Sequence, residues 1–133
     1  MQTFLKRFYD KDCDVNNLSP LALAFIGDSV FDLFVREKLI CQANCPVSKL
    51  HENAVKQVRC ETQAESLKKL LPILTDKEVS VYKRGRNAHT SHKPKNASSE
   101  QYHIATGFEA MIGYIYLRGD IDRLREIFEF ISK

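Results

Sequence analysis

Two acids in this sequence stand where apolar residues belong. Asp28 follows Leu21 by seven residues and Ala24 by four, and precedes Phe31 by three and Val35 by seven. On a helix, that spacing puts it on the apolar face. Glu109 repeats the pattern, with Ala105 and Gly113 one turn to either side and Ile112 three residues on. An ionised carboxylate buried without a partner takes up a proton unless a cation or hydrogen bonds compensate. If the two segments cross at the small residues Ala24, Gly27, Ala105 and Gly113, the carboxylates meet, and like charges so placed favour a shared divalent cation. Oxygen ligands suit magnesium or manganese. Such an ion activates a water for attack and neutralises a leaving oxygen, which is the chemistry of phosphodiester hydrolysis. The competing reading is structural: Asp28 bonds a buried backbone or hydroxyl group, and Glu109 pairs with a lysine or arginine. Spacing alone leaves both open.

A second group of residues could bind a polyanion. Lys83, Arg84, Arg86, Lys93 and Lys95 lie in a stretch with no acid between Glu78 and Glu100, and these five charges exceed the whole net charge of +3. Arginine forks onto phosphate oxygens, lysine adds point charge, and Asn87, Thr90 and Ser91 can bond sugar or phosphate. The alternative is a polar loop that is basic only for solubility. His89 and His92 read as solvated loop histidines, and His103 as a core or interface residue. Asp32, one turn beyond Asp28, is expected to pair with Arg36 rather than to join the acids.

The elements that position these residues read as helices. Ser19-Pro20 looks like a cap followed by a first-turn proline, opening a helix to about Leu39. A second begins near Val47-Ser48. Thr62-x-x-Glu65 and Thr75-x-x-Glu78 both look like capping boxes for two short helices flanking Pro72, with Gly85 ending the second. From Gly85 to about Ala97 no apolar period appears, which predicts a polar loop. Ser98 or Ser99 caps a long helix that ends at a left-handed Gly119, and a last helix starts at Asp120. No segment alternates as a strand does, so the expected class is all-α, with about seven helices in one domain spanning residues 1–133.

Composition excludes some classes. Hydrophobic residues are 44% and charged residues 28%, a globular balance, with neither a bilayer-spanning apolar run nor a secretory leader. A cytoplasmic location follows as the expectation. The cysteines at 13, 41, 45 and 60 are expected as reduced, small buried residues, since Cys41, Cys45 and His51 match no common zinc spacing.

The run Leu23-Ala24-Phe25-Ile26-Gly27-Asp28-Ser29-Val30-Phe31 resembles the signature helix of the ribonuclease III family. Thr106-Gly107-Phe108-Glu109-Ala110-Met111-Ile112-Gly113-Tyr114-Ile115-Tyr116-Leu117 resembles that family's other metal-binding helix, in the same order. Lys83-Arg84-Gly85-Arg86-Asn87-Ala88 and Pro94-Lys95-Asn96 resemble the basic loop of its short branch, which carries no double-stranded-RNA-binding domain. The resemblance implies an all-helical, magnesium-dependent endonuclease domain, with manganese able to substitute. It implies a homodimer that cuts both strands of duplex RNA with a stagger, in ribosomal RNA precursor maturation. Asp28 and Glu109 would be the metal-binding and catalytic residues, and Lys83, Arg84, Arg86, Asn87, Lys93 and Lys95 the RNA-binding set. One site cuts one strand, so a two-fold dimer suits a duplex, and Phe25, Phe31, Leu33 and Phe34 offer more apolar surface than a small core needs. The larger enzymes carry acids where Leu21, Ala24 and Thr106 stand here, which thins the metal site. A duplex-RNA-binding dimer without catalysis is the alternative, and a helical protein-interaction module a third.

Overall fold

The computed structural model describes residues 6–88 and 99–133. Among these described residues, six α-helices follow a short 3-10 turn at Val15–Asn17: α1 (Pro20–Gln42), α2 (Val47–Val58), α3 (Cys60–Leu70), α4 (Asp76–Arg86), α5 (Ser99–Leu117) and α6 (Ile121–Ile131). A second 3-10 turn, Leu71–Ile73, carries Pro72 between α3 and α4. The fold is all-α, with no strand among the described residues.

Helix ends follow local chemistry. Ser19 Oγ accepts from the Ala22 amide at 3.1 Å, and Pro20 occupies the first turn of α1. Thr75 and Glu78 form the reciprocal box at α4. Gly119, at φ 77°, ends α5, with the Asp120 amide bonded back to Ile115 O. Thr62-x-x-Glu65 is a correction: α3 already starts at Cys60, and the Thr62 hydroxyl instead donates to Lys56 O at 2.7 Å. Gly85 is another, since α4 runs through it to Arg86. The cap of α5 at Ser98 lies outside the described residues.

Helix α5 is the axis of the fold. Every residue from Ala105 to Ile115 is buried except Glu109, the signature of a helix enclosed on all sides. α1, α3, α4 and α6 pack around it, α1 most extensively. All six helices contribute to one apolar cluster that includes Leu23, Ala54, Leu67, Val81, Phe108 and Ile127. Phe31 meets Phe108 edge-on, with ring centroids 5.1 Å apart. The α1–α5 crossing is made by glycines: a Cβ on Gly27 would lie 1.8 Å from Glu109 O, and one on Gly113 2.0 Å from Leu23 O. Gly85 plays the same part for α4, since a Cβ there would come 2.9 Å from the Gly107 Cα. None of the four cysteines is fully buried and all are free thiols, Cys41 being exposed.

One ion pair ties α6 to α4. The Arg123 guanidinium forks onto Glu78, Nε to Oε2 at 2.8 Å and an NH2 to Oε1 at 2.7 Å, and also reaches Ile73 O. Burial by itself would raise the Glu78 carboxyl, but Arg123 and the Thr75 amide outweigh it, so the group sits below the usual range. Arg123→Met leaves that carboxylate buried and unpaired, with an expected loss of about 3 kcal/mol in urea unfolding at pH 7. A carboxyl with a depressed folded pKa contributes stability above its unfolded pKa and loses it as pH falls through the folded one. The gap between wild type and variant therefore narrows below about pH 4, and a constant gap would contradict this account.

Candidate active site

Gly27 sets the site. Because it brings the α1 backbone onto α5 beside the Glu109 carbonyl, the next residue, Asp28, stands at the rim of that crossing. The helical spacing predicts both acids inward; the structure leaves Asp28 exposed and Glu109 half-buried. The two still meet. The Glu109 carboxyl is pushed up to about 8, by burial first, then by the Asp28 charge and by a hydrogen bond to Asp28 that only protonated Glu109 can donate. Gln63 opposes this weakly: its Nε2 donates to Glu109 Oε2 at 3.4 Å.

No basic side chain contributes to the Glu109 shift, so the salt-bridge reading of this acid does not hold among the described residues. Asp32 does take its expected partner, Arg36, at 3.0 Å, which leaves it out of the pair. Among the described residues no third Asp, Glu, His or Cys completes a metal-holding group. Leu21 is 40% exposed, Ala24 is buried, and the buried Thr106 gives its hydroxyl to Tyr102 O at 3.0 Å. The donor set is two carboxylates, one of which cannot shed its proton cheaply without a cation. That chemistry fits a hard divalent ion whose remaining ligands are waters or phosphate.

Two neighbours escaped the sequence reading. Gln63 is 2% exposed on the inner face of α3. Its place one turn before Leu67, beside Ala64, was the available signal, which the supposed Thr62 box obscured. Cys60, at the start of α3, has its thiol pushed up by burial, then by Glu109, Glu61 and Asp28.

The basic residues divide. Lys83, Arg84 and Asn87 are exposed and line one shallow depression with Asp76, Val79 and Ser80. Arg86 does not line that depression: its guanidinium lies over the Tyr82 ring at 5.5 Å, and its Nε donates to Asn87 Oδ1 at 3.3 Å. Lys93 and Lys95, with Thr90, Ser91, His89 and His92, lie outside the described residues. α4 packs on α5 through Gly85, which meets Gly107 and Ala110. His103 is half-buried, with no partner for its Nδ1 among the described residues. No helix among the described residues is long and apolar enough to cross a membrane.

Comparison with known proteins converges on one family. The ribonuclease III domain profile matches residues 21–120. Mini-ribonuclease 3 of Thermoanaerobacter sp. (strain X514) is 46% identical over 115 residues, 86% of this chain and 81% of that protein. Mini-ribonuclease 3 of Streptococcus pneumoniae (strain ATCC BAA-255 / R6) is 40% identical over 116 residues, 86% of this chain and 91% of that protein. The crystal structure of protein FN1578 from Fusobacterium nucleatum superposes with a TM-score of 0.75 at 29% identity, covering 90% of this chain and 93% of that one.

Proposed function

Because the chain belongs to the ribonuclease III family, within its Mini-ribonuclease 3 group, we propose that it is a magnesium-dependent endoribonuclease that cuts double-stranded RNA as a homodimer. Asp28 and Glu109 are its catalytic residues and cation ligands. The observation that carries this reading is the meeting of two carboxyls from different helices, with Asp28 among the causes that hold the Glu109 proton on.

Asp28 and Glu109 would hold the ion, magnesium or manganese in its place, which would supply a nucleophilic water and neutralise charge on the leaving oxygen. For both carboxylates to hold the ion, Glu109 would release its carboxyl proton to solvent, and Asp28, at the exposed rim, would face the side from which a phosphate arrives. Lys83, Arg84 and Asn87 hold the RNA backbone, joined by Arg86, Lys93 and Lys95, because an A-form duplex offers phosphates and ribose hydroxyls rather than base edges. Phe25 and Leu33, 82% and 54% exposed on the helix that carries Asp28, are apolar surface that a second copy would cover. Two sites related by a two-fold axis would then cut the two strands with a stagger. Ribosomal RNA precursor, in the cytoplasm, is the substrate that the family branch implies.

The test is cleavage of an end-labelled RNA duplex with magnesium, with manganese and with EDTA. Cutting in either metal, none in EDTA, and loss of cutting in Asp28→Asn with the helical circular dichroism preserved are expected. Binding of duplex without cleavage in both metals would replace this reading by a non-catalytic RNA-binding dimer.

A further inference from the structure

We infer that Gln63 is a positioning residue of the carboxylate pair, holding the Glu109 carboxyl where a cation can be shared with Asp28; the inference rests on the reading of that pair as a cation site. A buried amide has two donor hydrogens and an acceptor that each need a partner. The Gln63 Nε2 lies 3.0 Å from Val58 O and 3.4 Å from Glu109 Oε2. Val58 ends α2, so its carbonyl lacks an intrahelical donor and can only accept. The atom facing it must be the nitrogen, which fixes the amide's orientation.

One hydrogen of Nε2 is thus anchored on the α2–α3 corner, and the other is aimed at α5. The Glu109 contact, at 3.4 Å, is the longer of the two. The remaining atom, Oε1, is buried with no partner among the described residues. An unpaired buried acceptor on the same amide is suited to a water hydrogen, and hydrated divalent ions carry such waters. A neutral amide does all this without adding a third negative charge beside Asp28 and Glu109.

Gln63 also caps α2, so the experiment must separate the two roles. Gln63→Met keeps the volume and removes the amide. Manganese binding is measured by electron paramagnetic resonance of the free ion, alongside melting temperature and the magnesium dependence of duplex cleavage. The expected result is a dissociation constant for manganese weakened by about 10- to 100-fold. The magnesium needed for half-maximal cleavage should rise in parallel, with an unchanged KM for RNA at saturating magnesium. A melting temperature lowered equally with and without manganese, at wild-type manganese affinity, would mean that Gln63 is only a cap. If Asp28→Asn abolishes manganese binding while Gln63→Met leaves it intact, this inference falls and the nuclease reading stands. If wild type binds no manganese, both fall. Should Gln63→Met fail to fold, the side-chain amide signal of Gln63 in the wild-type NMR spectrum decides: it must move when magnesium is added, and a still signal among shifting neighbours overturns the proposal.

Discussion

Glu109→Gln is expected to stabilise the cation-free protein at pH 8 while lowering duplex-RNA cleavage by about a thousandfold. The two effects share one cause. The Glu109 carboxyl is raised from 4.5 to about 8, so folding opposes its ionisation. A group raised in the folded state contributes stability that is fully present below its unfolded pKa and lost as pH rises through the folded pKa. For Glu109 that window runs from about pH 4.5 to about pH 8. Glutamine keeps the shape and never ionises, so the variant matches wild type at pH 4 and gains roughly 1 to 3 kcal/mol by pH 8 in EDTA. Magnesium should reverse the order, because only the carboxylate gains from the ion. Thermal melts across pH, with EDTA and with magnesium, read all of this. A variant less stable than wild type at pH 8 in EDTA would mean that Glu109 is held by an unrecognised cationic neighbour rather than opposed by Asp28.

Gly27→Ala is expected to be the most damaging small substitution in α1. Its Cβ would fall 1.8 Å from Glu109 O and 2.8 Å from Gly113 N. Both are backbone atoms, so no rotamer relieves the overlap and α1 must lift away from α5. That interface is the most extensive in the fold, and overpacking against rigid partners costs at least about 3 kcal/mol where nothing can yield. Cleavage should fall further than stability alone explains, because the same displacement parts Asp28 from Glu109. Urea unfolding, together with activity measured at a temperature where the variant remains folded, checks both claims. Cys41→Ala, on the exposed last turn of α1, should stay within about 0.5 kcal/mol of wild type. An equally mild Gly27→Ala would show that the helices do not cross as closely as described.

The site was legible in the sequence to different depths. Asp28 and Glu109 stood out because an acid among apolar residues is anomalous on any helical wheel. Their separate fates were not legible: a wheel gives direction from the helix axis and says nothing of how far a neighbour reaches over the residue. α5 crosses at Gly27, and this leaves Asp28 at the rim. Arg86 reads with Lys83 and Arg84 as one basic run, yet on α4 it turns to the Tyr82 side. The role of Gln63 is not legible along the chain, because its partners, Val58 O and Glu109, belong to other helices.

By itself the sequence determined where helices begin and end wherever the signal is satisfied within a turn. Ser19 bonding Ala22, Thr75 exchanging bonds with Glu78, and Gly119 at positive φ are of this kind, since their partners are only residues away. Tertiary structure decided what Gly85 is for, why Thr62 serves the end of α2 rather than the start of α3, and which side chains surround the acid pair. Each of those answers depends on atoms brought in from another helix, and close packing between helices is a property of the assembled core that no local pattern encodes.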